Sequence, residues 1–181
     1  MCERAGITEQ YALAGERATC DEVLDAVQAA SLILAPDGLL VLTFAGHTER
    51  GDRSLAHARW CFADGELALA ELAAELARLP AAARIVVIAD TGAATAIRHV
   101  ALGPQPFLLI AGCGDDQTMT ARLPRTFIHR LEQLLIRQPD PSLADVRAVL
   151  EADTPDAERP VVWTNTARDG TLFTVRRSPG G

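Results

Sequence analysis

The sequence LLVLTFAGHTERGDR, residues 39–53, runs from an apolar stretch into a glycine, a histidine and a string of charges. Its first part, residues 39–45, has the length and character of a strand that is buried on both faces. Residues 35–38, APDG, favour a turn before it. Two similar runs occupy residues 84–89 and 107–111. We expect the three runs to be neighbouring parallel strands whose carboxyl ends share one edge of a sheet.

Amphipathic segments alternate with these strands. Thr19 and Glu22 have the spacing of a capping box, which predicts a helix over residues 20–34. A second helix is predicted from the repeat of leucines that ends at Pro80, namely Leu67, Leu69, Leu72, Leu76 and Leu79. Shorter or later segments are predicted as an extended piece at 58–65, helices at 93–102, 125–138 and 141–152, and a last strand at 159–165.

This alternation predicts an α/β fold, a mainly parallel sheet with helices on both faces. At 181 residues the chain suits one domain, residues 1–181, with flexible tails at 1–10 and 176–181. The ends of the three central strands are where ligands and catalytic groups gather in such sheets. Taken alone, however, Gly and Asp at these ends also suit ordinary loop starts.

Charge and composition exclude several classes of partner. The net charge is −7, and the arginines are scattered along the sequence, so we expect no nucleic-acid partner. No apolar run approaches the roughly 18 residues that span a bilayer, and the N-terminus does not resemble a secretion signal. We therefore expect a cytoplasmic protein without a membrane partner. The spacing of Cys2, Cys20, Cys61 and Cys113 matches neither a zinc site nor a disulfide scaffold, which predicts reduced thiols and no metal or cofactor.

Four ordered motifs, LLVLTFAGH, RWCFADGEL, RIVVIADTG and LLIAGCGDDQT, lie within residues 39–118. Together they resemble the landmarks of caspase-like cysteine peptidases, in particular the bacterial and metacaspase branch, and the resemblance extends from about residue 15 to 165. It implies a His-Cys dyad at the ends of two neighbouring strands, with backbone amides that stabilise the oxyanion.

Carried over residue by residue, the resemblance makes His47 the base and places Asp90, two positions before the nucleophile, in the substrate pocket. Gly92 stands at the nucleophile position. Thr48 replaces a glycine of the oxyanion region, and Ala45 replaces a serine of the substrate pocket. Two alanines, Ala93 and Ala94, replace the usual His-Ser.

Glycine has no side chain to attack a carbonyl, so the resemblance implies a peptidase fold without peptidase activity. The concerted loss of several site residues favours a natural pseudoenzyme that acts through protein–protein interaction in bacterial signalling or regulation. One alternative is an active cysteine endopeptidase whose nucleophile was replaced, or displaced to Cys113. Another is an unrelated parallel-sheet binding module, which the absence of a glycine-rich phosphate loop disfavours. Asp115 and Asp116 are weak candidates for calcium, because such a site needs six or more oxygens.

The N-terminal segment bears on association. Members of the family begin with a strand that lies in the middle of the sheet, whereas here the match begins after it. The nearly uncharged segment EQYALAG, residues 9–15, is therefore predicted to pair with a strand from a second copy or a partner, or to pack beside residues 39–45. Self-association or a protein partner follows from this expectation.

Overall fold

The computed structural model describes residues 9–51, 54–112, 130–131, 133–134, 136–138, 141–152 and 160–166. Several residues considered above lie outside this part of the chain: Cys2, Asp52, Arg53, Cys113, Asp115 and Asp116. The same is true of residues 1–8 and 176–181 of the predicted tails and of the start of the helix predicted at 125–138.

The described strands are β1 (Leu39–Ala45), β2 (His47–Glu49), β3 (Arg59–Cys61), β4 (Glu66–Ala68), β5 (Arg84–Asp90), β6 (Phe107–Ala111) and β7 (Val161–Thr164). The described α-helices with complete bounds are α1 (Cys20–Ile33), α2 (Leu69–Leu76) and α3 (Leu143–Glu151). Residues 130–137 are also helical where they are described. Short 3-10 helices occupy Gly15–Arg17, Leu55–His57 and Ala94–His99.

The main sheet has the strand order β1-β5-β6-β7. Strand β5 lies parallel to β1 on one side and parallel to β6 on the other, whereas β7 is antiparallel to β6. The three apolar runs are therefore neighbouring parallel strands, as the sequence predicted. The fold is α/β with a mainly parallel sheet.

Helices cover both faces of this sheet because side chains alternate along each strand. On one face, Leu40 and Leu42 of β1 pack into a core that includes Val27 of α1 and Leu72 of α2. On the other face, residues of β5 and β6 pack with the helical residue Leu131 and with α3. Each fully buried leucine or isoleucine in these layers contributes about 1.5–3 kcal/mol through apolar burial.

Strand β1 is less buried than the sequence predicted. Strand β6 is buried at every position, but residues 39–42 of β1 are only partly buried, and Thr43 and Ala45 are exposed. The reason is its place at the end of the strand order, which leaves it with a single neighbouring strand among the described residues. The prediction that residues 39–45 are buried on both faces was wrong in this respect.

A second sheet, with the order β2-β3-β4, follows β1 and is antiparallel. The rings of Phe44 and Trp60 stack with centroids 4.2 Å apart and planes 6° from parallel, which joins this sheet to β1. Leu67 lies in β4, and α2 begins only at Leu69. The leucine repeat thus begins in a strand, because Leu67 pairs with Trp60 in the small sheet.

The segment before α1 adds no strand to either sheet at residues 9–14, and Tyr11 is 62% exposed. Residues 9–14 therefore form no strand beside residues 39–45 within the chain, whereas their pairing with a second copy or a partner stays a prediction. Thr19 caps α1 by accepting a hydrogen bond from the backbone N–H of Glu22, as predicted. Within the described ranges, no helix has the length and apolar character needed to cross a membrane.

Candidate functional site

The predicted site residues lie where β1 and β5 end side by side. Ala45 pairs with Asp90 in the parallel register, and the backbone N–H of Gly46 donates to the Asp90 carbonyl at 3.3 Å. Strand β6 ends beside them, because the N–H of Gly112 donates to the Ala89 carbonyl at 2.8 Å. Three strand ends thus meet at one edge of the sheet.

Gly46 allows the chain to leave β1 and enter β2. A Cβ atom at this position would lie 2.8 Å from Cζ of Phe44, whose ring folds back against the backbone. A residue with a Cβ atom would require this ring to move. The tight approach explains why glycine stands directly before the histidine.

His47 and Thr48 point to opposite faces of β2, as successive strand residues must. Thr48 is buried, and its Oγ1 lies 2.8 Å from Oγ1 of Thr91 in a hydrogen bond between two buried hydroxyls. This bond joins the small sheet to the turn that follows β5. Thr48 is therefore the residue of β2 whose side chain contacts the turn before Gly92.

The His47 side chain lies on the outer face of the small sheet and is 69% exposed. Its Nε2 is 3.3 Å from Oε1 of Glu49, which is 53% exposed. His47 pairs with Cys61 across the antiparallel ladder. An imidazole in this position is oriented by a carboxylate but lies largely in water.

The turn after β5 has an unusual backbone. Ala93 is buried and adopts the left-handed region, with φ 48° and ψ 37°. For a residue with a Cβ atom this conformation costs about 1–2 kcal/mol. Gly92 is partly buried at the start of this turn, and the 3-10 helix Ala94–His99 follows it. The position expected for a nucleophile therefore lies in a strained, packed turn without a reactive group.

The two described cysteines are poor nucleophiles. Burial, followed by a hydrogen bond with Asp64 and the charge of that carboxylate, raises the pKa of the Cys20 thiol to about 11. Burial also raises the pKa of Cys61; a backbone hydrogen bond at Glu49 opposes this shift, and the charges of Glu66 and Glu49 add to it. Both thiols are protonated at neutral pH, whereas nucleophilic attack requires the thiolate.

The remaining candidates are dispersed. Asp90 is partly buried and Ala45 is exposed. His57 and His99 are both exposed on short 3-10 helices. Within the part of the chain that the structure describes, no group of three or more His, Cys, Asp or Glu side chains has the arrangement of a metal site.

Sequence reasoning identified the strand ends but missed Glu49 and Cys61 as neighbours of the site. Thr91 lies directly before Gly92 at one of these ends, so its proximity to the site was available from the sequence. The contacts of Glu49 and Cys61 depend on β2 and β3, which are three residues each and too short to predict from a pattern.

Comparison with known proteins adds evidence on the fold. No protein-family model matches the chain, and no curated protein matches its sequence. Among solved structures, it is similar to the crystal structure of protein GSU0716 from Geobacter sulfurreducens, with a TM-score of 0.68 and 20% identity. The match covers 93% of this chain and 81% of that one. At this identity the likeness supports the α/β fold alone.

Proposed function

We propose that this chain is a caspase-like domain without peptidase activity, which acts by binding proteins in bacterial signalling or regulation. Its partner in this proposal is an active homologue, a signalling protein or a second copy, in the cytoplasm. The four sequence motifs support the family, and the parallel register of β1 and β5 is compatible with it, since their ends lie side by side.

The loss of catalysis rests on one observation, the glycine at position 92. Acyl transfer needs a thiolate or an activated hydroxyl, and Gly92 supplies neither. The loss of one member of a nucleophile–base pair reduces turnover on the order of a million-fold. The exposed His47 and the protonated Cys20 and Cys61 do not replace the missing group.

The outer face of the small sheet offers a surface for a protein partner. It carries His47 and Glu49 on β2, and an ion pair between Arg59 and Glu66, whose Nη1 and Oε2 atoms are 3.0 Å apart. Exposed charges of both signs give orientation and selectivity to an encounter more than affinity. This mixed pattern does not favour a polyanion such as nucleic acid.

Peptidase assays test the proposal. We expect no cleavage of reporter peptides with Arg, Lys or Asp before the scissile bond, with or without calcium. The variant Gly92→Cys should remain far below a working peptidase, because Thr48 still occupies the oxyanion region and His47 lies in water. Gly92→Ala is the matched control for tolerance of a side chain at this position, and alkylation of the new thiol verifies that it is accessible.

Two results would contradict the proposal. Cleavage by the wild-type protein that is abolished by His47→Ala and by Cys113→Ser would establish a displaced nucleophile. Full cleavage by Gly92→Cys would establish that the rest of the catalytic site is intact. Cleavage that persists in the His47→Ala variant would instead indicate a contaminating peptidase. The protein would then be purified again and the assay repeated.

A further inference from the structure

The outer edge of β1 presents backbone groups in a defined pattern. The N–H of Arg84 donates to the Gly38 carbonyl at one end of the β1–β5 ladder, and the N–H of Gly46 donates to the Asp90 carbonyl at the other. In a parallel ladder, every second residue of a strand directs both its N–H and its C=O to the same neighbouring strand, and the residues between them direct theirs to the opposite side. Even-numbered residues of β1 therefore bond to β5. The odd-numbered ones, Leu39, Val41, Thr43 and Ala45, direct their N–H and C=O groups to the outer edge.

This edge lacks the features that usually prevent pairing with another chain. Proteins protect exposed edges with lysine, proline, inward charges or short strands. Strand β1 has seven residues, and residues 38–46 contain neither a charge nor a proline. Strand β7, at the opposite end of the sheet, has only four residues, and Nη2 of Arg147 donates to its Val162 carbonyl at 3.1 Å. The two edges of the described sheet are thus unequal, and β1 is the one open to addition.

The register of β1 is complementary to itself. If two copies meet in antiparallel orientation about a two-fold axis at Leu42, Leu39 faces the partner's Ala45 and Val41 faces the partner's Thr43. Every such pair joins two residues whose backbone groups both point outward, which is the hydrogen-bonded pair of an antiparallel ladder. A two-fold axis repeats each contact, so one strand supplies both sides of the interface.

Charge disfavours the parallel alternative. Asp37 precedes β1 and His47 follows it, so antiparallel copies place an acidic end near an imidazole-bearing end. Parallel copies would place Asp37 near the Asp37 of the other copy.

The C-terminal end of α1, which leads into β1, exposes two apolar side chains, Leu32 at 86% and Ile33 at 59%. Large exposed apolar side chains are typical of an interaction site.

We infer that the chain forms a homodimer in which the β1 strands of two copies pair antiparallel and make one continuous sheet. This inference deepens the proposed function and rests on it for the role of binding, since it names a second copy as a partner. Its test measures association and backbone protection, so it fails or succeeds independently of the peptidase assay.

Light scattering across a concentration series provides the first test. We expect the wild-type protein to have twice the mass of the 19.3-kDa chain, and Thr43→Pro to have the mass of one chain. Proline at Thr43 removes an outward N–H and retains the bonds to β5, as edge prolines do. Val162→Pro is the matched control on β7, where it removes an outward N–H from the opposite edge, and it should remain a dimer.

A second variant keeps the test decisive if Thr43→Pro does not fold. Thr43→Lys retains the backbone and adds two like charges to the paired edges, so it should also be monomeric. A monomeric wild-type protein at every concentration, or a dimer that persists in both folded variants, overturns the inference.

Amide hydrogen exchange tests the register. In the dimer, the N–H groups of Val41 and Thr43 should exchange slowly, and dilution to the monomer should accelerate them. The N–H groups of Leu40 and Leu42 bond to β5 in either state and serve as the internal control. Fast exchange at Val41 and Thr43 in a dimeric sample would place the interface elsewhere and overturn the inference.

Discussion

The hydroxyls of Thr48 and Thr91 show how one pair of small side chains joins two parts of the molecule. Both groups are buried, and their oxygens are 2.8 Å apart. A buried hydroxyl without a partner costs about 1–3 kcal/mol, more than the net gain from the bond itself. The pair therefore specifies how the small sheet sits against the turn before Gly92.

A double-mutant cycle measures this pairing. We expect Thr48→Val and Thr91→Val each to lower the free energy of unfolding, and the double variant to lose less than their sum by about 1 kcal/mol. Thr91 makes a further contact, so the single losses should differ, and only the cycle isolates the pair. Additive losses would contradict a direct hydroxyl pair.

Helix α3 illustrates how a short element begins. Ser142 accepts a hydrogen bond from the N–H of Asp145 at 3.2 Å, and the Asp145 carboxylate accepts one from the Ser142 N–H at 2.8 Å. The Ser142 hydroxyl also donates to this carboxylate, as does the Gln138 amide. The hydrogen bonds from Ser142, first from its hydroxyl and then from its backbone, lower the pKa of Asp145.

The lowered pKa has a defined consequence for pH dependence. A carboxyl whose pKa is lower in the folded state stabilises the fold above its unfolded value of about 4, and this stabilisation is lost as the pH falls through the folded value. We expect a carboxyl carbon titration by NMR to give Asp145 a midpoint below that of an ordinary aspartate. Ser142→Ala should raise this midpoint, whereas Ser31→Ala in α1 should leave it unchanged. An ordinary midpoint in the wild-type protein would contradict the capping box.

The two sheets share one hydrophobic core in the described part of the molecule. Phe44 stacks on Trp60 of the small sheet, and Phe107 packs against Trp163 of the main sheet with ring centroids 6.1 Å apart. All four side chains belong to the same core or pack against it. Sharing a core couples the unfolding of the sheets, since neither can separate without exposing the apolar surface of the other.

Tryptophan fluorescence tests this coupling. The chain has two tryptophans, so Trp163→Phe reports on the small sheet and Trp60→Phe on the main sheet. In each variant we expect the fluorescence and far-UV circular dichroism transitions in denaturant to coincide, as two-state unfolding requires. A fluorescence transition of Trp60 that precedes the circular dichroism of the same variant would show that the small sheet unfolds separately.

Local patterns were sufficient to predict several elements. Apolar runs predicted β1, β5 and β6 and their parallel order, because strands buried in a sheet cannot carry polar side chains without partners. The spacing of Thr19 and Glu22 predicted the start of α1, since the capping bond joins residues three positions apart. Ala45, His47 and Gly92 were assigned to strand ends from the same runs, and the structure places them there.

Only the tertiary structure decided which side chains face the site and which face water. Burial of β1 depends on how many strands flank it, and the orientation of His47 and Thr48 depends on pairing with β3, a strand distant in sequence. The same pairing draws Leu67 into a strand, although its spacing fits a helix. A local pattern indicates the apolar surface that a segment must bury. The segment that buries this surface lies elsewhere in the chain. Its position determines which edge of the sheet and which face of the strand remain exposed.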